Sequence, residues 1–502
     1  MWMIRTITER RPRAGHYPES GVPRPFFLSA AVEISASSVS MTSNVPTALV
    51  DALRALLGDR TSTAPAVREQ HSHGESYHAS ALPDVVCFAK TTDEVSAILK
   101  LSAQFQVPVV PFGAGTSLEG HVQAIHGGIS IDLREMNRIV RVSVPDLDCT
   151  VEAGVTRQAL NHHLRNTGLT FFIDPGAECT LGGMTATRAS GTTAVRYGTM
   201  RENVLALTVV LADGRVIHTG TRARKSSAGY DLTRLFVGSE GTLGVITEIT
   251  LRLQPQPEAV SAAVCGFATM EGAVNTVIAT IQLGIPVARI ELLDEMQMMA
   301  INRYSKLTYA EQPTLFFEFH GDSERHVKDQ AESVQALAAD HGGVAFEWAT
   351  RTEDRARLWE ARHNALYAAK ALRSGSRPWT TDVCVPISRL ADCILETRKD
   401  NERASFPITL VSHAGDGNFH LIYMIDPDAP AELEEATRLN TRLVERALAM
   451  GGTCSGEHGV GVGKMKYLEA EHGEALSVMR AVKQAIDPDN RMNPGKMLPE
   501  VR

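Results

Sequence analysis

The sequence predicts an α+β protein of more than one domain, and three observations carry that expectation. Strand, helix and strand succeed one another between Asp84 and Val110, with the apolar residues Val95, Ile98 and Leu99 on one helical face. The pattern changes at Gln254-Pro255-Gln256-Pro257, because neither proline can donate a ladder hydrogen bond and each restricts its predecessor. Beyond it, strand-like stretches (Ala263 to Phe267, Thr314 to Phe319) alternate with helical periods (Glu271 to Leu283, His326 to Ala339, Ala431 to Met450), as in a sheet covered on one side. A chain of 502 residues also exceeds one ordinary core.

Composition narrows the function classes. The net charge of −8 comes with no long block of Lys and Arg, so nucleic acid is excluded as a principal partner. Seven scattered cysteines, never in a Cys-x-x-Cys pair, argue for reduced thiols in a reducing compartment such as the cytoplasm. No run approaches the ~18 apolar residues of a membrane span, so membrane contact is peripheral at most. Residues 1–45 read as a disordered extension with Met41 as the working start. Arg and Ser are enriched there as in a transit peptide, which Glu9, Glu19 and Glu33 oppose.

Taken in order, Pro46 to Leu57 reads as a short amphipathic helix with its proline in the first turn. Asp84 to Phe88 is a strand, Thr91 and Glu94 form a capping box, and Val107 to Val110 is the next strand. Directly after it comes Gly113-Ala114-Gly115-Thr116-Ser117-Leu118-Glu119-Gly120, a loop whose exposed N–H groups and hydroxyls suit a pyrophosphate. The spacing is not Gly-x-Gly-x-x-Gly and Gly128 to Leu133 reads as strand, so a nicotinamide cofactor in the doubly wound mode is disfavoured. A second polar, Gly-rich region holds Asp174-Pro175-Gly176-Ala177, Thr180-Leu181-Gly182-Gly183-Met184, Thr187 and Ala189-Ser190-Gly191. Strands at Ala206 to Leu211 and Val216 to Thr219 flank Asp213-Gly214. A third loop, Gly238 to Gly244, contains Glu240 and runs through Ile246 into the strand Glu248 to Leu253. Three such loops separated by strands imply a long polar ligand.

In the second half, two strand-like runs flank His413-Ala414-Gly415-Asp416-Gly417-Asn418-Phe419-His420. If Asp416-Gly417 is a two-residue turn, His413 faces His420 across a hairpin, close enough for both imidazoles to reach one metal ion. On the residues alone, a plain turn with hydrogen-bonded histidines is an equal reading. Glu457 and His458 sit between glycines, and Glu457 would complete a His₂Glu set suited to zinc or manganese. Spacing alone also allows an ordinary exposed loop. Arg362 offers a planar fork that matches a carboxylate, or is a solvated helical arginine.

The order of these motifs resembles the FAD-binding domain of the vanillyl-alcohol oxidase and p-cresol methylhydroxylase superfamily, and more narrowly its D-lactate dehydrogenase and glycolate oxidase D-subunit branch. The resemblance runs from about Pro83 to the C-terminus. It implies a two-subdomain flavin domain over 46–256, a ferredoxin-like cap over 257–480 and a closing segment over 481–502 that returns to the flavin domain. Gly113 to Gly120 would hold the FAD pyrophosphate. Pro175, Gly176, Thr180, Gly182, Gly183, Thr187, Ser190, Gly191, Glu240, Gly244, Ile246 and Asn493 would contact the remainder. The first loop lacks a histidine and His121 lies just beyond it, so the expected FAD is non-covalent. His413, His420 and Glu457 match the metal motif, His458 the general base, and Arg362 the substrate-carboxylate arginine. Thr380 stands where related 2-hydroxyglutarate dehydrogenases carry a lysine, which favours a monocarboxylate.

The implied reaction is oxidation of a D-2-hydroxy acid, D-lactate to pyruvate foremost, with hydride transfer to flavin. The metal lowers the hydroxyl pKa and His458 takes its proton. The alternatives are a glycolate-oxidising subunit with partner polypeptides, a 2-hydroxyglutarate dehydrogenase, a metal-dependent hydrolase and a non-enzymatic flavin module. Cytochrome c, quinone and electron-transfer flavoprotein are candidate acceptors, and a homodimer stays open. The expected setting is cytoplasmic, with attachment to an inner membrane allowed, or mitochondrial in a eukaryote.

Overall fold

The computed structural model describes residues 45–499, so the expected N-terminal extension and the start at Met41 lie outside the described residues. Two sheets share the first core. In the four-stranded one, Val85–Phe88 and Val109–Phe112 both run parallel to Ile129–Asp132, which lies between them, and Thr61–Ser62 forms the edge. The helix Thr92–Phe105 connects strands that are therefore not neighbours; Ile129–Asp132, buried throughout, takes the centre. Only half of the expected capping box forms. Thr91 accepts the Glu94 N–H, whereas the Glu94 carboxylate accepts from Lys90 N–H and Arg60.

The five-stranded antiparallel sheet runs Ile139–Ser143, Asp148–Glu152, Val245–Arg252, Val204–Val210, Val216–His218. Its inward side chains join those of the first sheet in one apolar cluster that also takes in Met492. The chain end is fastened there. Met492 bridges Val109, and buried Arg491 donates to Ser102 Oγ and the Ala212 carbonyl.

Apart from the short pair Leu169–Thr170 and Gln254–Pro255, the remaining strands form one eight-stranded antiparallel sheet in the order Gly343–Ala349, Ala259–Phe267, Thr314–Gly321, Val287–Leu293, Ile408–His413, Asn418–Ile425, Arg377–Thr380, with Val383–Cys384 also on Asn418–Ile425. The first four strands, with helices Met270–Gln282 and Glu324–Asp340 crossing between them, make a ferredoxin-like split β-α-β unit. The second half repeats it. Val383–Cys384, Ile408–His413, Asn418–Ile425 and a bridge at Thr453 are joined by helices Leu390–Asn401 and Pro430–Ala449. The two units meet where Val287–Leu293 pairs with Ile408–His413, which sets Glu291 opposite His413.

This sheet is covered on both faces, contrary to the one-sided cover expected. The four crossing helices pack on one face, while Glu295–Ser305, Thr352–His363 and Ala365–Ala371 bury Ala262, Val264, Leu293, Phe316, Ile422 and Met424 on the other. The reason is visible in Thr314–Gly321, where every position is buried rather than every second one. Among the described residues, no helix is long and apolar enough to cross a membrane.

Candidate active site

The hairpin between the two histidines turns differently from the two-residue expectation. Ala414–Asp416 form a turn of 3-10 helix and Gly417 closes it at φ 75°, where a side chain would collide with the Val385 carbonyl. The register consequently pairs His413 with Asn418 and Val411 with His420. His413 and His420 are thus diagonal neighbours, not opposed ones. Because Asn418 and His420 lie two apart on one strand, both imidazoles still share a face, with ring centroids 5.4 Å apart.

Each imidazole has its Nδ1 committed. That of His413 lies 2.8 and 3.0 Å from the Glu291 oxygens, and that of His420 lies 2.9 Å from the Thr381 carbonyl. The two Nε2 atoms converge on Glu457 Oε1 at 3.0 and 3.3 Å. With the proton of a neutral ring on Nδ1, each Nε2 turns a lone pair toward a carboxylate oxygen, an arrangement that a cation between them would relieve. Two imidazole nitrogens and one carboxylate oxygen within 4.8 Å of one another fit a zinc or manganese ion.

Burial alone would raise Glu291, yet His413 and Arg362 outweigh it and hold its carboxyl below the usual range. Arg362, on the helix Thr352–His363, donates its Nε to Glu291 Oε2 at 2.8 Å, so one buried carboxylate ties the arginine to His413. His458 stacks on His420 with centroids 4.8 Å apart and planes 11° from parallel. Burial pushes its imidazole down to about 4, against the attraction of Asp382. The His458 ring is therefore neutral at pH 7, as a proton acceptor must be. The charges beneath it are paired: Lys464 Nζ lies 3.2 Å from Asp382 Oδ2 and 3.4 Å from Glu119 Oε1.

Arg362, His413, His420, Glu457 and His458 open on one cavity of about 700 Å³. These five line it together with the apolar Leu366, Val411 and Ile422, and the Gly-rich loops supply a further wall. Of the residues expected to contact FAD, Gly113, Ala114, Gly115, Thr116, Ser117, Pro175, Gly176, Thr180, Gly182, Gly183, Thr187, Ser190, Glu240, Gly244, Ile246 and Asn493 line it. Gly120 and Gly191 do not. Both have positive φ and serve close packing, Gly120 against Val462 and Gly191 against Asp174. The loop wall suits a flavin dinucleotide. Ser117 Oγ is buried without a protein partner, and at Gly182 a Cβ would already press on Ala153 at 2.7 Å. Glu240 has a second task, because its carboxylate accepts the N–H groups of Val460 and Gly461.

Comparison with known proteins agrees with this geometry. Residues 83–220 match the family described as FAD binding domain, and residues 256–497 match FAD linked oxidases, C-terminal domain. The chain belongs to the FAD-linked oxidases. Its relatives include a probable mitochondrial D-lactate dehydrogenase of Danio rerio, 49% identical over 94% of this chain and 95% of that protein. The mitochondrial D-lactate dehydrogenase [cytochrome] of Arabidopsis thaliana is 48% identical over 91% and 81%. The glycolate oxidase subunit GlcD of Bacillus subtilis is more distant at 35% over 85% and 91%. In fold, p-cresol methylhydroxylase is similar with a TM-score of 0.74 at 17% identity, covering 90% of this chain and 97% of that one.

The contacts of two buried carboxylates of this FAD-linked oxidase escaped the sequence reading. Glu291 was findable in principle as the lone carboxylate in the apolar run Ile290 to Leu293. Asp382 lies two residues beyond Thr380, and nothing local indicates that it reaches Ser455 and the two residues after Gly456.

Proposed function

We propose that this FAD-linked oxidase is a D-2-hydroxyacid dehydrogenase acting on monocarboxylates, D-lactate foremost, and passing electrons to a cytochrome-type acceptor. The observation that carries this is one cavity lined both by Arg362, His413, His420, Glu457 and His458 and by the Gly-rich loops. When bound, non-covalent FAD supplies the hydride acceptor, and zinc or manganese held by His413, His420 and Glu457 supplies a Lewis acid for the hydroxyl.

The residues themselves divide the remaining work. Arg362 takes the substrate carboxylate with the donors that Glu291 leaves free, and Glu291 fixes the direction in which the guanidinium points. His458 accepts the hydroxyl proton on its neutral ring. Leu366, Val411 and Ile422 exclude water and receive the substrate methyl group. Thr380, also lining the cavity, offers no cation for a second carboxylate. The names of the relatives support a lactate substrate, a cytochrome acceptor and a mitochondrial rather than cytoplasmic setting.

The test is an anaerobic substrate screen on the purified yellow protein. D-lactate should bleach the flavin, L-lactate should not, and 2-hydroxyglutarate should act poorly. Faster bleaching by glycolate would replace lactate as the substrate. His458→Ala should keep FAD and metal while slowing reduction by about 10²–10⁴-fold. Normal reduction in that variant would remove His458 from the mechanism.

A further inference from the structure

Glu457 and His458 lie on a loop, and loops do not hold reacting groups to the tolerance a reaction needs unless something fixes them. Here the fixing is done by a carboxylate outside the cavity. Asp382 Oδ2 accepts Ser455 Oγ at 2.9 Å, the Glu457 N–H at 3.0 Å and the His458 N–H at 2.9 Å. Its Oδ1 accepts Asn418 Nδ2 at 2.7 Å, which attaches the same carboxylate to the strand that carries His420. The residue before it, Thr381, supplies the carbonyl for His420 Nδ1. One short segment thus aims three groups of the site: the imidazole of His420, the carboxylate of Glu457 and the ring of His458.

We propose that Asp382 is the positioning residue of this active site, holding Glu457 and His458 in register with His420 while touching neither substrate nor cofactor. A carboxylate is suited to this because its two oxygens offer about four acceptor sites, where an amide offers one oxygen and brings an unwanted donor. Asp382 is 1% exposed, and such a buried charge persists only when compensated. Lys464 compensates it, donating to both Oδ2 and the Asp382 carbonyl. Across the loop, Glu240 accepts the Val460 and Gly461 N–H groups at 2.7 and 2.8 Å. The two carboxylates, remote in sequence, receive four backbone N–H groups of one five-residue stretch.

The proposal rests on the assignment of Glu457 and His458 to the reaction, and metal retention tests it separately from turnover. In the FAD-loaded enzyme, Asp382→Asn should weaken zinc or manganese binding by about 10- to 100-fold, as loss of a partner that orients ligands does. It should also lower the rate of flavin reduction by D-lactate by roughly 10²-fold, with a smaller change in KM. Because the single variant strands Lys464, the paired variant Asp382→Asn/Lys464→Met is made alongside it. The pair should recover thermal stability without recovering metal affinity or reduction rate. Wild-type metal affinity in a folded Asp382→Asn protein, or recovery of both functions together with stability in the pair, would overturn the proposal. So would failure of both variants to fold, which assigns Asp382 to the fold alone. If wild-type flavin is not reduced by D-lactate, the substrate assignment fails while the metal-binding comparison still decides the role of Asp382.

Discussion

Arg362 and His413, which come from different elements, grip the same buried carboxylate: Glu291 accepts Arg362 Nε on Oε2 at 2.8 Å and lies 2.8 Å from His413 Nδ1 through Oε1. The arginine and the imidazole proposed to meet the substrate and the metal are therefore aimed by one side chain. Glu291→Gln keeps the shape but halves the acceptor capacity and leaves the Arg362 guanidinium undercompensated. Metal affinity should fall by about 10- to 100-fold, and stability by roughly 1–3 kcal/mol. Titration of the apo protein with zinc or manganese, with thermal melts in parallel, reads both; an unchanged metal affinity removes Glu291 from the site.

Exhaustive dialysis against a chelator should separate the two halves of the cavity. The Gly-rich wall shares no ligand with His413, His420 and Glu457, so the visible flavin spectrum should persist. Reduction by D-lactate should slow by about 10²-fold or more and return on adding zinc or manganese. Chelated enzyme that reduces at the original rate would leave the His₂Glu set without a metal function.

The sequence made periodicities and chemistry legible, but not distances between remote segments. Strands such as Val204–Val210 and helices such as Pro430–Ala449 were readable to within about two residues, because apolar spacing and glycine stops are local signals. The hairpin turn was misread because Asp416-Gly417 has the same composition in a two-residue turn as at the end of a four-residue one. His413 and His420 kept a common face only because the shift placed His413 against Asn418, two residues from His420. The contacts of Glu291 and Asp382 stayed hidden for a different reason. Their partners lie 122 and 75 residues away, at His413 and Glu457, and no local pattern encodes such pairings.

Gly182 tests the loop wall by volume. It sits in the first turn of helix Leu181–Thr187, capped by Thr180, and a Cβ there would lie 2.7 Å from Ala153 Cβ and 2.8 Å from the Ala153 carbonyl oxygen. Backbone cannot yield as a flexible side chain can, so Gly182→Ala should push this helix start into the cavity. The expected outcome is protein purified with reduced FAD content and a stability loss of about 1–3 kcal/mol. Full flavin occupancy would mean that this turn does not border the dinucleotide.

Asp294 gives a pH-dependent prediction away from the chemistry. It is the N-cap of helix Glu295–Ser305, accepting the Gln297 N–H at 2.9 Å, while the Gln297 side chain donates to the Ala365 carbonyl and so braces the helix behind Leu366. Burial pushes its carboxyl up to about 7, with the Gln297 N–H opposing. A carboxyl raised on folding binds its proton more tightly in the native state than in the unfolded one, where its pKa is about 3.9. Native stability therefore falls as pH rises from about 4 to 7 and levels off above, the reverse of the usual salt-bridged aspartate. Asparagine caps a helix as well as aspartate and has no proton to lose. Asp294→Asn should match wild type near pH 4.5 and exceed it by roughly 1–3 kcal/mol at pH 8. Thermal melts of both proteins across that range decide the matter. Parallel curves would mean that Asp294 ionises normally in its cap, and a variant less stable at pH 8 would mean that the ionised cap is stabilising.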